Sequence, residues 1–213
     1  MQEAFWQDRW KNNQIGFHTP QANPLLVRHF GQLQMPAPAR VFIPLCGKSL
    51  DMHWLLSQGH RVAGAELSPI AVAQFFEELG REPRVTAMGS LQRYDAEGVS
   101  IFQGSIFDLT PEMLGPVDMV YDRAALVAFP EEMRDRYVPH LLRLTDSAPQ
   151  LLICFEYDQV CDDGPPFSVD ETEVRRLYPA AAEQRLLERQ EVAGGLKGKC
   201  PAMEAVWRLR PEF

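Results

Sequence analysis

The sequence predicts a doubly wound α/β fold with a mostly parallel sheet of seven strands and an antiparallel hairpin at its C-terminal end. Three observations favour this fold. Apolar strands and amphipathic helices alternate five times, charged side chains follow strand ends, and a glycine-rich tip separates two final alternating runs. Because α/β domains of about 200 residues are common, we expect one domain over residues 1–213, with residues 1–35 as an N-terminal helical lid.

The segment 40–66 predicts a strand, a tight turn, a helix and a second strand. Its residues 41–43 form a β-branched and aromatic run that is typical of a buried parallel strand. Ser49 can cap the helix and Gly59 can end it. Glu66 follows at the tip of the second strand, about 20 residues beyond the turn, where doubly wound folds place an acid for ribose hydroxyls. An ordinary βαβ unit with a surface carboxylate is the alternative.

Two phosphate-binding motifs nearly match the first turn, and both fail. Gly47, Lys48 and Ser49 resemble the end of a phosphate-binding loop, but the glycine required five residues before Gly47 is Phe42. A dinucleotide turn needs three glycines, and residues 44–49 contain one. A ligand with adenosine but no phosphate fits better, and S-adenosylmethionine is the commonest cofactor of that kind.

Composition narrows the class of protein. The net charge of −8 argues against a nucleic-acid partner, which requires a basic face. The four cysteines form no CxxC pair and no metal-ligand spacing, so we expect reduced thiols in a cytoplasmic protein and no metal. Neither a signal peptide nor an apolar run of about 20 residues is present, so no membrane partner is expected.

The N-terminal segment carries an aromatic pair at helical spacing. Trp6 and Trp10 stand four residues apart, on one face of a predicted helix over residues 3–13. The pair either docks this helix onto the domain or forms a lid in which Trp10 covers the ligand. Residues 16–18 follow as a flexible hinge that carries Phe17.

The middle of the chain continues the alternation. Ser68 and Pro69 open a helix with an apolar stripe, and residues 81–98 are polar and poorly periodic, so we expect a loop there. Residues 99–103 predict the third strand. Ser105 and Ile106 follow it, and they either border an adenine or form a plain strand exit.

Asp122 and Arg123 form the most informative polar pair, because they follow directly on a buried strand, residues 117–121. Charged side chains at the carboxyl end of such a strand point into the ligand crevice. An uncompensated buried charge is costly, so Arg123 either pairs with Asp122 or faces an anionic group of substrate or cofactor.

The last third of the chain completes the predicted sheet. We expect a helix over residues 130–144 and a fifth strand over residues 151–155. A rigid loop beside the substrate follows at residues 162–167, and residues 185–191 and 203–210 form a two-stranded hairpin. The loop carries acids, but its glycine and proline spacing matches no calcium loop.

Several segments together resemble the thiopurine S-methyltransferase family, which has the class I S-adenosylmethionine-dependent methyltransferase fold (Rossmann-like). The pattern PLCGK with a downstream DR is specific, because most methyltransferases have a glycine-richer first turn. The chain looks like a bacterial member of the family. The similar blocks occur in the family's order over nearly the full length: 5–10, 16–18, 41–55, 59–68, 105–109, 121–128 and 164–167.

The resemblance implies roles for individual residues. It implies S-adenosylmethionine contacts for Trp10, Leu45, Glu66 and Arg123, with Ser105 and Ile106 at the adenine. Phe17 would face an aromatic thiol substrate, and Arg123 would be close to both ligands and serve catalysis. Family members of animal origin also carry an arginine in the final hairpin loop, where this chain offers Lys197 and Lys199.

The resemblance implies methyl transfer to the sulfur of aromatic or heterocyclic thiols such as thiopurines, by a monomeric cytoplasmic enzyme. Methylation of selenium or tellurium species for detoxification is an alternative natural role. Two other classes stay open at this point. One is a nicotinamide oxidoreductase, disfavoured by the missing glycines, and the other is a non-catalytic S-adenosylmethionine-binding protein.

Overall fold

The computed structural model describes residues 3–211, so residues 1–2 of the predicted lid and residues 212–213 of the predicted domain lie outside the described part. The chain divides into two compact units, with the boundary between Met119 and Val120. The single domain over residues 1–213 with a lid over residues 1–35 stays a prediction.

The first unit contains five strands in the order β3-β4-β5-β2-β1. The strands are β1 (Arg40–Pro44), β2 (Arg61–Glu66), β3 (Arg84–Met88), β4 (Leu91–Ala96) and β5 (Val99–Gln103). The helices are α1 (Glu3–Lys11), α2 (Pro24–His29), α3 (Leu50–Ser57), α4 (Pro69–Leu79) and α5 (Pro111–Leu114), with 3-10 turns at Phe30–Leu33 and Ile106–Asp108.

The parallel strands β1, β2 and β5 form the buried centre of this unit. β1 pairs with β2 from Arg40–Arg61 to Pro44–Ala65, and β2 pairs with β5 as far as Glu66 and Gln103. Most of their side chains are buried, as the continuous apolar runs predict for parallel strands. The registers bring the carboxyl ends of all three strands to one edge of the sheet.

The helix signals in the sequence are confirmed. Ser49 caps α3 by accepting a hydrogen bond from the Asp51 N–H at 3.1 Å, and Ser68 accepts one from Ala71 N–H at the start of α4. Gly59, with a φ of +82°, directly follows the C-cap residue Gln58 at the end of α3. The buried carboxylate of Asp51 also accepts the Asn23 N–H at 2.6 Å, so it fastens the start of α2 to α3.

The loop predicted over residues 81–98 is wrong: this segment forms β3 and β4, an antiparallel hairpin added to β5. β3 is an edge strand with mostly exposed side chains, and Val85 is 50% exposed. The prediction of a loop relied on the lack of apolar periodicity. An edge strand buries little apolar surface, so it can form without that periodicity. Gly89 and Ser90, the two turn residues, were the available signal.

The second unit contains four strands in the order β6-β7-β9-β8. The strands are β6 (Met119–Asp122), which begins at the boundary, β7 (Gln150–Tyr157), β8 (Ala181–Glu191) and β9 (Ala202–Pro211). The helices are α6 (Glu131–Leu144) and α7 (Glu171–Leu177), with 3-10 turns at Leu126–Ala128 and Gln159–Cys161. β6 and β7 are parallel, whereas β9 runs antiparallel to both β7 and β8.

The α/β class and the C-terminal antiparallel hairpin are confirmed, but the predicted number of seven strands is wrong. Residues 3–211 form nine strands, because the β3–β4 hairpin adds two to the expected set. Over the same residues, no helix is long and apolar enough to cross a membrane.

Candidate functional site

Glu66 is held at the tip of β2 by two backbone donors. Its Oε2 accepts a hydrogen bond from the Gly47 N–H and its Oε1 accepts one from the Ser68 N–H, both at 2.7 Å. The residue is only 6% exposed, and this burial raises the pKa of its carboxyl in spite of the backbone donors. The alternative of a surface carboxylate at the tip of β2 is therefore wrong.

The turn after β1 is shaped by two residues in the left-handed conformation. Gly47 has a φ of +54°, and a Cβ at this position would lie 3.2 Å from the Trp10 ring. Leu45 has a φ of +49°, which is uncommon for a residue other than glycine and costs energy. Sequence reasoning missed this strain, because nothing in a leucine side chain favours the left-handed region.

Trp10 and Phe17 lie together beside this turn. Trp10 is 5% exposed and packs against Gly47, and its ring contacts the Phe17 ring edge-on with centroids 5.8 Å apart. The Trp6 ring also contacts the Phe17 ring edge-on, with centroids 5.6 Å apart. Phe17 itself is 39% exposed. Trp10 thus packs the N-terminal helix α1 against the turn after β1, and the rings of Trp6 and Phe17 lie beside it.

Lys48 does not act as the lysine of a phosphate-binding loop. Its ammonium group is bound by the Glu78 carboxylate of α4 at 2.6 Å. A lysine paired in this way is not free to hold a phosphate, which agrees with the missing glycines of the motif.

Ser105 and Ile106 lie at the same edge of the sheet as Glu66. The residue before them, Gly104, donates its N–H to the Glu66 carbonyl at 2.9 Å. Ile106 begins a 3-10 turn and is 6% exposed. The structure therefore brings together the six predicted site residues of the first unit, which are Trp10, Phe17, Leu45, Glu66, Ser105 and Ile106.

Asp122, at the end of β6 in the second unit, is fully buried and has three hydrogen-bond donors. Its Oδ1 accepts from the Ala125 and Leu126 N–H groups at 3.1 Å, and its Oδ2 accepts from the Tyr137 hydroxyl at 2.6 Å. Burial outweighs these donors and raises the pKa of Asp122 to about 6. The carboxylate thus fixes the turn that carries Arg123.

Arg123 is half-buried and follows Asp122 directly. Within residues 3–211 its guanidinium has neither a hydrogen-bond nor an ion-pair partner, and the Asp122 carboxylate is bound by other donors. The proposed internal Asp122–Arg123 ion pair is therefore wrong. The turn fixes the backbone of Arg123, while no carboxylate among the described residues pairs with its guanidinium. Such a guanidinium can bind an anionic group of a ligand.

The raised pKa of Asp122 gives a prediction for the pH dependence of stability. A folded-state pKa near 6, above the usual 3.8, stabilises the fold fully below about pH 3.8 and loses that contribution as pH rises through about 6. We expect the wild type to lose about 2 kcal/mol of unfolding free energy relative to Asp122→Asn between about pH 4 and pH 7. Urea unfolding of both proteins across this range measures it.

The matched control for that series is Asp146→Asn, which removes an exposed carboxylate of the same unit. Its unfolding free energy should follow the wild type at every pH. The asparagine at position 122 can still accept from the two backbone N–H groups and can donate to Tyr137. A constant difference between wild type and Asp122→Asn over the whole range would contradict the raised pKa.

Lys197 and Lys199 of the hairpin tip are bound to the rigid loop. The Asp162 Oδ1 lies 2.8 Å from the Lys197 ammonium, and its Oδ2 lies 2.6 Å from that of Lys199. These two cations hold the pKa of Asp162 well below its usual range. Lys197 also donates to the Pro165 carbonyl. Both lysines therefore serve to fasten the loop 162–167, and the described residues contain no group of three or more potential metal-ligating side chains.

Two solved structures that are similar to this chain are methyltransferases. A 1,6-didemethyltoxoflavin-N1-methyltransferase from Burkholderia thailandensis, with bound 1,6-didemethyltoxoflavin and S-adenosylhomocysteine, aligns over 98% of this chain and 87% of that one, with a TM-score of 0.65 at 18% identity. A methyltransferase from Anabaena variabilis gives a TM-score of 0.63 over 98% and 95% of the two chains, at 18% identity. The fold is thus that of the class I S-adenosylmethionine-dependent methyltransferases.

Sequence comparison identifies the family within that class. The family model "Thiopurine S-methyltransferase (TPMT)" matches residues 1–208. A thiopurine S-methyltransferase of Xanthobacter autotrophicus is 57% identical over 210 residues, which cover 98% of this chain and 99% of the relative. One of Gluconobacter oxydans is 54% identical over 98% of this chain and 94% of the relative. The chain belongs to the thiopurine S-methyltransferase family and is an S-adenosylmethionine-dependent enzyme, so the oxidoreductase alternative is set aside.

Proposed function

We propose that the chain transfers the methyl group of S-adenosylmethionine to the sulfur of small aromatic or heterocyclic thiols such as thiopurines. The main support for this substrate class is Arg123, whose half-buried guanidinium has no partner among the described residues. A heteroaryl thiol ionises near neutral pH, and an adjacent positive charge favours the thiolate. Full-length family membership supports the same reaction.

The first-unit site fits the adenosine part of S-adenosylmethionine. A carboxylate offers about four lone-pair positions, and Glu66 uses one on each oxygen for Gly47 and Ser68. The remaining positions can accept both ribose hydroxyls. We assign the adenine to Ser105 and Ile106, and further cofactor contacts to Leu45, Trp10 and Arg123, as the family resemblance implies.

The proposed reaction needs positioning more than acid–base chemistry. S-Adenosylmethionine supplies an activated sulfonium methyl group that a thiolate displaces in line. In this proposal Arg123 holds the thiolate, Phe17 contacts the aromatic ring, and Glu66 fixes the cofactor. Holding two reactants in line at about 3–3.5 Å can lower a barrier by several kcal/mol.

Charge is neutralised during this displacement, so exclusion of water favours it. The aromatic group of Trp6, Trp10 and Phe17 and the loop 162–167 are the proposed water-excluding elements. Two observations support this: the aromatic rings contact one another, and the loop is fastened by Lys197, Lys199 and the Tyr157 hydroxyl, which donates to the Pro166 carbonyl at 2.6 Å.

The natural acceptor can be another chalcogen anion, because a selenolate or tellurolate undergoes the same displacement. We therefore treat selenium or tellurium methylation as a second arm of the same test. Nucleic acids and membranes are not part of the proposal, in keeping with the acidic composition.

The test is methyl transfer from isotopically labelled S-adenosylmethionine to 6-mercaptopurine, with the product identified by mass spectrometry. Hypoxanthine, which carries oxygen in place of the sulfur, is the matched control substrate. We expect the S-methyl product from the thiol only. Cofactor binding without transfer to the thiol or to a reduced selenium or tellurium species would instead indicate a non-catalytic binding protein.

A further inference from the structure

Two thiols of the second unit lie side by side, although they are 39 residues apart in the chain. Cys161 ends the 3-10 turn after β7, and Cys200 stands at the hairpin tip just before β9. The residues next to them in the chain are ion-paired, since the Asp162 Oδ2 lies 2.6 Å from the Lys199 ammonium, and the nearness of Cys161 is among the causes, after burial, that raise the pKa of the Cys200 thiol. Neither residue belongs to the set to which we assign substrate or cofactor contacts, and none of the four cysteines forms a disulfide.

The neighbouring residues hold this pair in place without help from the thiols. Asp162, which follows Cys161, is bound by Lys199, which precedes Cys200, at 2.6 Å. The backbone at the tip is also fixed, because Leu196 donates its N–H to the Cys200 carbonyl at 2.8 Å. The two segments that carry the thiols are therefore joined by an ion pair, and the backbone of the hairpin tip is fixed by its own hydrogen bond.

The two thiols differ in their access to solvent. Cys161 is exposed, whereas Cys200 is 6% exposed and packs with Leu196 and Ala202. A dissolved oxidant thus meets Cys161 first, and Cys200 is placed to attack any adduct formed there. Solvent access and a neighbouring resolving thiol are two of the features of redox-sensitive cysteine pairs.

We propose that Cys161 and Cys200 form a reversible disulfide by exchange with a low-molecular-weight disulfide. The Cys161 thiolate attacks one sulfur of the oxidant, which forms a mixed disulfide and releases one small thiol. Cys200 then attacks the Cys161 sulfur of that mixed disulfide and releases the second small thiol. The two protein thiols lose two electrons and two protons, and the small disulfide gains them as two thiols.

The consequence of the bond is a covalent tie between the loop that begins at Asp162 and the hairpin tip. It would act in parallel with the Asp162–Lys197 and Asp162–Lys199 ion pairs. Because it closes a loop of about 40 residues, it should raise the unfolding temperature by about 5–10 °C.

The experiment treats the full chain with oxidised glutathione, alkylates the remaining thiols after unfolding, and measures intact and peptide masses. We expect the wild type to lose two of its four thiols without retaining glutathione. Cys200→Ser should stop at one glutathione on Cys161, and Cys161→Ser should keep its remaining thiols. Cys154→Ala, which removes a buried thiol outside the pair, should behave as the wild type does.

Dithiothreitol should restore both thiols and reverse the rise in unfolding temperature. A glutathione adduct that persists on Cys161 of the wild type would overturn the proposal. So would a disulfide that includes Cys46 or Cys154, a bond between two chains, or an oxidised wild type with an unchanged unfolding temperature. These readouts do not depend on methyl transfer, so the proposed function and this inference can fail separately.

Discussion

Replacing Glu66 by glutamine is expected to weaken binding of S-adenosylhomocysteine by about 100-fold. Hydrogen bonds to a charged group contribute about 1.5–3 kcal/mol each, and the proposal assigns two ribose hydroxyls to this carboxylate. The amide keeps the size of the side chain but loses the charge. Its NH₂ group also cannot accept a hydrogen bond, so either the Gly47 or the Ser68 N–H is left without its acceptor.

Titration calorimetry measures this loss directly. Glu77→Gln is the control, because it removes an exposed carboxylate of the first unit and should bind with the wild-type affinity. Thermal unfolding without ligand separates weakened binding from a damaged fold. If Glu66→Gln binds within about threefold of the wild type, the ribose assignment is wrong.

Replacing Arg123 by alanine is expected to lower kcat/KM for a thiopurine by about 100- to 1,000-fold. This is the size of effect that follows when a preorganised charge-stabilising donor is removed from a reaction centre. Binding of S-adenosylhomocysteine should change less than in Glu66→Gln, because the proposal gives Arg123 mainly to the thiolate. Arg123→Lys should recover part of the activity, since lysine restores the charge without the planar guanidinium.

The pH profile distinguishes stabilisation of the thiolate from a structural role. Without the guanidinium the thiol ionises only at its solution pKa, so the relative loss in Arg123→Ala should shrink as pH rises. Arg185→Ala, which removes an exposed positive charge of the same unit, should keep the wild-type profile. Full activity of Arg123→Ala with thiol substrates at neutral pH would remove Arg123 from the mechanism.

The site residues that lie in regular structure could be predicted from the sequence. Ser49 indicates the start of α3, and the apolar run before it indicates β1. The number of residues from this turn to Glu66 then predicts that its carboxylate lies at the tip of β2. The burial of Glu66 could not be predicted. Its carboxylate accepts hydrogen bonds from Gly47 and Ser68, which lie in two different turns, and a sequence pattern does not show that these turns meet.

The alternatives left open by the sequence depended on contacts between distant residues. The sequence allows Asp122 to pair with its neighbour Arg123, but its carboxylate accepts hydrogen bonds from the turn that follows and from Tyr137 of α6. The family resemblance offers Lys197 and Lys199 in place of an arginine near the substrate, whereas both lysines bind Asp162. A local sequence pattern does not show which donor is bound to a given carboxylate in the folded protein.

We propose that this chain binds S-adenosylmethionine and transfers its methyl group to a thiol. The most direct measurement is calorimetric titration with S-adenosylhomocysteine, followed in the same sample by labelled S-adenosylmethionine and a thiopurine. We expect saturable binding at one site per chain and a labelled methyl group on sulfur. No binding to a chain that circular dichroism shows to be folded would contradict the assignment of Glu66 and the β1 turn as the cofactor site.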